Sequence, residues 1–172
     1  MIYLIDDIDI RVVKPQLSIN IDVNKKVKPF IYEAQEFDLR PFLGDEFYID
    51  IQQNIGNYTD LLNEFTYSHG QNTYVSPGLK NTLSLFAYAR IKSQMNEHDT
   101  AFGTMAKTNP YSQNASESSI ARQVREIKSE ANQYLNRLEN YLNCKMEDYP
   151  LWKKKCNPNK RERTTLKIRS TK

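Results

Sequence analysis

Hydrophobic positions recur along this chain at two periods. Near the N-terminus, Leu17-Ser18-Ile19-Asn20-Ile21-Asp22-Val23 alternates apolar and polar side chains, the pattern of a half-buried strand. Helix signals are few before residue 23, so residues 1–22 are expected to form an extended arm or edge strand. From Asp22 or Asn24, either able to cap, Val27, Ile31, Ala34 and Phe37 return every three or four residues and predict a helix ending near Pro41 and Gly44. Phe47, Ile51 and Ile55 predict a shorter helix, stopped at Gly56 and resuming through Leu61, Leu62 and Phe65. Residues 66–75, polar and β-branched around Gly70, read as a loop or short hairpin.

Two stronger periodic segments follow. Ser76-Pro77 offers an N-cap with proline at the first helical position, and Leu79, Leu83, Phe86 and Arg90, with Leu85 and Ala89 close by, predict a helix to about Asn96. Residues 97–115 show no apolar periodicity and contain Gly103 and Pro110, which predicts a long loop, of a length uncommon without a function. Asn114-Ala115-Ser116-Glu117 then reads as a cap with glutamate three residues on. Ile120, Val124, Ile127, Ala131, Tyr134, Leu138 and Tyr141 repeat at alternating spacings of four and three. Leu135 and Leu142 widen that stripe beyond a coiled-coil seam and favour packing within a bundle. The expected fold is mainly α: a small bundle of three to four helices over residues 23–149, an extended N-terminal arm (1–22), a long loop before the last helix, and a C-terminal extension (150–172).

Charge sharpens this division. Residues 151–172 carry nine Lys and Arg against Glu162 alone, a net +8, and the remainder of the chain is left at −5. An acidic body with a basic tail implies that the tail meets something negative: nucleic acid, a membrane surface or an acidic protein. Lys153, Lys154, Lys155, Lys160, Arg161 and Arg163 are the candidate contacts, with Trp152 at their root either stacking on a partner or anchoring the tail to the domain. The stretch Thr164-Thr165-Leu166-Lys167-Ile168-Arg169 alternates and could add as a strand to a partner's sheet edge, so protein docking is preferred to DNA binding.

At 172 residues the chain has room for about one domain. Its apolar content, with Gly counted and Tyr left out, is 61 residues, about 35% against the usual ~45–50%. Eleven Tyr and seven Phe partly compensate, and such amphipathic rings are enriched where proteins meet proteins.

Candidate chemistry is sparse. No run nears the ~20 apolar residues of a membrane span, and the start MIYLIDDIDI lacks the charge of a signal peptide, so a soluble, unexported protein is expected. Cys144 and Cys156 have no CxxC spacing and read as reduced thiols. His69 and His98 sit apart in polar segments. Asp6, Asp7 and Asp9 lack the glycine turn and distal glutamate of a calcium loop and read as a solvated arm. With no GxxxxGK[ST], GxGxxG, GxSxG or HExxH, neither an enzyme nor a cofactor is expected.

The order of elements resembles that of a known family. Ile31-Tyr32-Glu33-Ala34-Gln35-Glu36 running into Leu39-Arg40-Pro41-Phe42-Leu43-Gly44, Pro77-Gly78-Leu79 opening a helix with Ala87-Tyr88-Ala89-Arg90, the loop Thr100 to Lys107 and the final helix from Tyr134 to Leu142 are similar to small helical head-tail connector (adaptor or ring) proteins of tailed bacteriophages. The likeness is greatest to those of crAss-like phages and covers about residues 20–149. It implies a non-enzymatic virion protein, made in the host cytoplasm and placed at the head-tail junction. Twelve copies would form a ring below the portal protein, extend the DNA channel and dock neighbouring ring or tail proteins, with DNA passing through without sequence-specific binding. It further implies that the loop, through Phe102, Gly103, Met105, Lys107 and Tyr111, makes ring or tail contacts, and that the extension from Trp152 reaches a neighbour. The tail is longer and more basic than the family pattern, which leaves open portal, second ring or DNA as its target. The alternative reading is a small nucleic-acid-binding accessory protein acting through the basic tail.

Overall fold

A computed structural model describes residues 2–94, 97–100, 103–106 and 116–153. The protein is mainly helical. Its first helix, α1 (Asp7–Val13), lies inside the segment expected to be an extended arm. The acidic run creates it. Asp6 caps the helix by accepting from the backbone N–H groups of Ile8 and Asp9, both at 2.9 Å, while the Asp9 carboxylate accepts from the Asp6 N–H at 3.0 Å. Asp7 pairs with Arg11 one turn on, and Asp9 faces Lys80 at 3.7 Å. The three aspartates are therefore helix-start chemistry rather than a solvated arm. With Leu4, Ile5, Ile10 and Leu17 buried, the N-terminal segment is part of the core.

The alternating stretch Leu17–Val23 does not form a strand. Among the described residues no strand lies beside it to complete its hydrogen bonds, and its backbone closes locally, the Leu17 N–H donating to the Lys14 carbonyl and Ile21 to Ser18. Asp22 is the residue that caps the next helix, accepting from the Lys25 N–H at 3.2 Å.

From there a nearly continuous helical run crosses the molecule: α2 (Val23–Lys26), α3 (Lys28–Ala34), a π-helical turn (Gln35–Leu39) and α4 (Arg40–Leu43). Pro41 does not stop it. The wider turn falls just before Pro41, where α spacing would drive the proline ring against the carbonyl four residues back. The extra residue in that turn rotates the register. Phe37, expected on the buried face, is 66% exposed, and Gln35 and Leu39 face inward instead. The stop comes at Gly44, whose φ of +85° suits glycine. Next come α5 (Asp45–Gln53), a 3₁₀ turn (Ile55–Tyr58) that contains Gly56, and α6 (Thr59–Leu62).

Residues 65–76 form a two-stranded antiparallel hairpin, β1 (Phe65–His69) and β2 (Asn72–Ser76), with Tyr67 opposite Tyr74 and His69 opposite Asn72. Gly70, first of the two turn residues, has φ +62°, as a II′ turn requires. Ser76 ends β2 and caps nothing; α7 (Gly78–Gln94) begins after Pro77, not at it. Gly78, at φ +74°, lets this entry pass the end of α6: a Cβ there would lie 2.4 Å from the Asn63 carbonyl carbon.

The seventh helix is buried on nearly every side, from Leu79, Leu83 and Leu85 to Ala87, Ala89 and Ile91, because α1, α3 and α8 (Glu117–Cys144) all pack around it. In α8 the expected stripe is inward at Ile127, Ala131, Leu138, Tyr141 and Leu142. Its N-cap is Ser116, which accepts from the Ser119 N–H at 3.3 Å, rather than Asn114, which lies outside the described residues. The expected loop between the two long helices contains a second hairpin, β3 (Glu97–Thr100) paired with β4 (Gly103–Ala106). Among the described residues no helix is long and apolar enough to cross a membrane.

Candidate docking surface

The tyrosines and phenylalanines gather into one row that joins the root of the tail to the first hairpin. Trp152 packs on Phe42 at 5.3 Å between ring centroids and on Phe47 at 6.5 Å; Phe47 meets Tyr149 at 6.1 Å, and Tyr149 meets Tyr141 at 5.8 Å. Tyr141 then contacts Tyr67 at 5.0 Å, and Tyr67 stacks on Tyr74 at 5.6 Å. Most neighbours are tilted or edge-on, the arrangement that ring quadrupoles favour. The row links β1, α5, the last turn of α8 and the chain after it.

Polar tips along the row are satisfied. The hydroxyls of Tyr141 and Tyr149 share a hydrogen bond of 2.9 Å, Tyr58 donates to Asp50, and the Trp152 indole N–H donates to Asn143 Oδ1 at 3.0 Å. Burial raises the Tyr141, Tyr149 and Tyr67 hydroxyls above the usual tyrosine range. Burial first, and then the hydrogen bond to Asp50, pushes Tyr58 up to about 12.

Beyond Tyr74 the row opens into a cleft of about 690 Å³ between the hairpin and α8, lined by Tyr67, His69, the β2 residues Thr73 to Val75, and Arg137, Asn140, Asn143 and Cys144. Asn143 belongs to both features, since it lines the cleft and holds the indole.

A second polar centre surrounds the π turn. Arg40 pairs with Glu36 and Asp45, each at 2.7 Å, and Tyr48 donates to Glu36 at 2.8 Å. The Arg40 hydrogen bond, opposed by desolvation, holds the Glu36 carboxyl below its ordinary range. Burial pushes the Tyr48 hydroxyl up to about 12. Arg90, expected on an apolar face, instead bonds Asp38 at 2.9 Å and Glu33 at 3.3 Å beneath the exposed Phe37 ring.

Of the tail residues singled out in the sequence, Trp152 is buried to 3% exposure and anchors the tail root to the body. Lys153 reaches back to Glu46 at 2.6 Å, both side chains exposed. Lys154, Lys155, Lys160, Arg161 and Arg163 lie outside the described residues. In the loop, Gly103 and Met105 belong to β4, opposite Thr100 and His98; Phe102, Lys107 and Tyr111 lie outside the described residues. Sequence reasoning did not find Gln35, Tyr149 or Asn143. Gln35 is fully buried, accepts from the Leu4 N–H at 2.8 Å and donates to the Ile2 carbonyl at 3.1 Å, stitching the N-terminal segment to the core. The one signal of the aromatic row was the excess of tyrosine.

Among the described residues no group of three or more His, Cys, Asp or Glu is placed to hold a metal ion. Compared with known proteins, residues 39–162 match the model of a family described as a family of unknown function, DUF6712. The match spans well over half of the chain, and the protein belongs to that family. No curated protein and no solved structure matches it.

Proposed function

We propose that the protein is a structural, non-catalytic subunit of a tailed-phage head-tail junction, a ring-forming connector whose C-terminal extension docks a neighbour. The observation that carries this reading is the buried root of the tail. Trp152, packed on Phe42 and Phe47 and bonded to Asn143, fixes to the body the point at which the +8 segment begins. A basic arm launched from a fixed point is a docking element, whereas an unanchored charged end would sample all directions.

Two further features support assembly. Large apolar side chains are exposed on helical surfaces of the described residues: Ile8 and Val12, one turn apart on α1 at 63% and 76% exposure, and Phe37 on the π turn. Distinct apolar patches on one subunit suit a heterologous contact, the kind that closes into a ring when its rotation permits. The acidic body suits a channel wall along which DNA slides without being held. In this reading α3 with its continuation, α5, α7 and α8 make the small bundle of three to four helices. The segment from 98 to 112 serves ring or tail contacts, and the portal, neighbouring tail proteins and further copies of the chain, twelve to a ring, are the partners.

Light scattering after size exclusion, on the protein alone and mixed with a cognate portal, with negative-stain imaging of the peak, tests the proposal. Rings, alone or on the portal, are the expected result. A monomer that ignores the portal and shifts on short DNA, with an affinity falling linearly in log-log against salt, would replace it with the nucleic-acid-binding reading.

A further inference from the structure

The cleft beside the first hairpin has a free strand edge along one wall. In a two-residue hairpin closed by His69 and Asn72, ladder hydrogen bonds join the pairs 69/72, 67/74 and 65/76, so the backbone groups of Thr73 and Val75 point away from β1. No other hydrogen bond of the described residues uses the Thr73 or Val75 N–H. Both residues border the cleft, and the stacked Tyr67 and Tyr74 rings present an apolar surface next to that edge. A strand laid there gains main-chain hydrogen bonds on one side and aromatic contact on alternate side chains, the requirements of β-augmentation.

The chain itself carries a segment of that pattern. In Thr164-Thr165-Leu166-Lys167-Ile168-Arg169, Leu166 and Ile168 fall on one face of an extended strand and Lys167 and Arg169 on the other. The last described residue, Lys153, is held on Glu46 at the start of α5, beside the Trp152 end of the aromatic row. Trp152 is bonded to Asn143, which also lines the cleft, so the described body ends close to its own cleft. The eleven peptide units from Lys153 to Thr164 reach about 36 Å when extended, a length that passes beyond that neighbouring cleft and is enough to arrive at an adjoining molecule.

We propose that residues 164–169 of one copy add as a third strand to the free edge of β2 in a second copy, Leu166 and Ile168 against Tyr67 and Tyr74. This inference rests on the assembly reading above and names one of its contacts. Residues 163–172 lie beyond the family match, so the exchange is a feature of this chain and not an attribute carried over from the family.

Cys144, an exposed free thiol lining the cleft, supplies the test. The full-length chain carrying Ile168→Cys and Cys156→Ser is prepared in isotopically light and heavy forms, mixed, and treated with a short bismaleimide. The expected result is a cross-link between Cys144 and position 168 joining light to heavy chains. Val75→Pro removes only an N–H that points off the hairpin, and is expected to lower the cross-link about ten-fold, the equivalent of a main-chain hydrogen bond and its close neighbours. Leu166→Asp, which places a charge on the proposed apolar face of the added strand, serves the same purpose, and circular dichroism checks that the variant is folded. Links confined to single chains, no link at all, or a link indifferent to both variants would overturn the proposal. Particle mass measured on the same samples separates the two ideas. Rings without the cross-link leave the assembly reading standing and remove strand exchange, while cross-linked chains that never close on a portal do the reverse.

Discussion

Trp152 is the hinge between body and tail, and its replacement separates a core role from a surface one. The indole is 3% exposed and contacts Phe42 and Phe47, and its N–H is bonded to Asn143. Trp152→Ala removes a large buried ring and leaves a cavity that the helices cannot fill, which costs about 3–5 kcal/mol. Asn143 is only half-buried, so water replaces the lost indole N–H and adds little. Against a typical domain stability of about 5–15 kcal/mol this is a severe loss. Lys153→Glu, one residue on, breaks an ion pair whose partners are both mostly exposed and costs at most about 1 kcal/mol. The assay is urea unfolding followed by far-ultraviolet circular dichroism. Trp152 is the sole tryptophan, so the native chain should also show blue-shifted emission protected from iodide. If Trp152→Ala unfolds within about 1 kcal/mol of the native chain, the root is not part of the core and the directed-arm argument falls with it.

Other perturbations follow from the same contacts. Reversing Lys153, Lys154 and Lys155 to Glu should leave the unfolding midpoint nearly unchanged and abolish docking to the partner, read by co-elution; docking that persists refutes the tail's role. Gly78→Ala forces a side chain into a positive-φ site against the Asn63 backbone and should destabilise by about 2 kcal/mol or more, measured as a lower urea midpoint. Leu138→Asp places an unpaired carboxylate in the interior and should yield no folded protein by circular dichroism. Tyr48 and Tyr58, raised to about 12 in the folded state, stabilise it fully below the ordinary tyrosine pKa of about 10 and lose that contribution as pH rises through about 12. Unfolding by circular dichroism and tyrosinate absorbance should therefore rise together across that window.

How far the chain is legible depends on whether a local pattern decides the outcome. The seventh and eighth helices were readable because a long stripe of Leu, Ile, Ala and Tyr has only one way to be buried, and mainly helical architecture follows from them. Phe37 was misread because the three-four spacing assumes an unbroken α register, and the π turn before Pro41 inserts one residue that no periodicity count registers. Asp6, Asp7 and Asp9 were misread for a different reason. A cluster of carboxylates looks like a solvated run until its members are assigned to backbone N–H groups, and the Asp6/Asp9 capping box is visible only if helix starts are sought where apolar residues are sparse. Leu17–Val23 shows that alternation specifies which side chains go inside and not the hydrogen bonds, which need a partner strand. The aromatic row is least legible of all, since Phe42, Phe47, Tyr67, Tyr141, Tyr149 and Trp152 come from five separate stretches. Their abundance was evident, but their convergence depends on α5, the hairpin and the end of α8 meeting in space. The choice of Trp152 as anchor or stacking platform was left open by sequence, and burial decides it: a ring enclosed by Phe42 and Phe47 has no face to offer a base. If the tail docks a partner as proposed, the contacts fall to the residues after the tryptophan, and Lys153 to Lys155 and the alternating sequence Thr164 to Arg169, rather than Trp152, are the positions at which a change should alter docking.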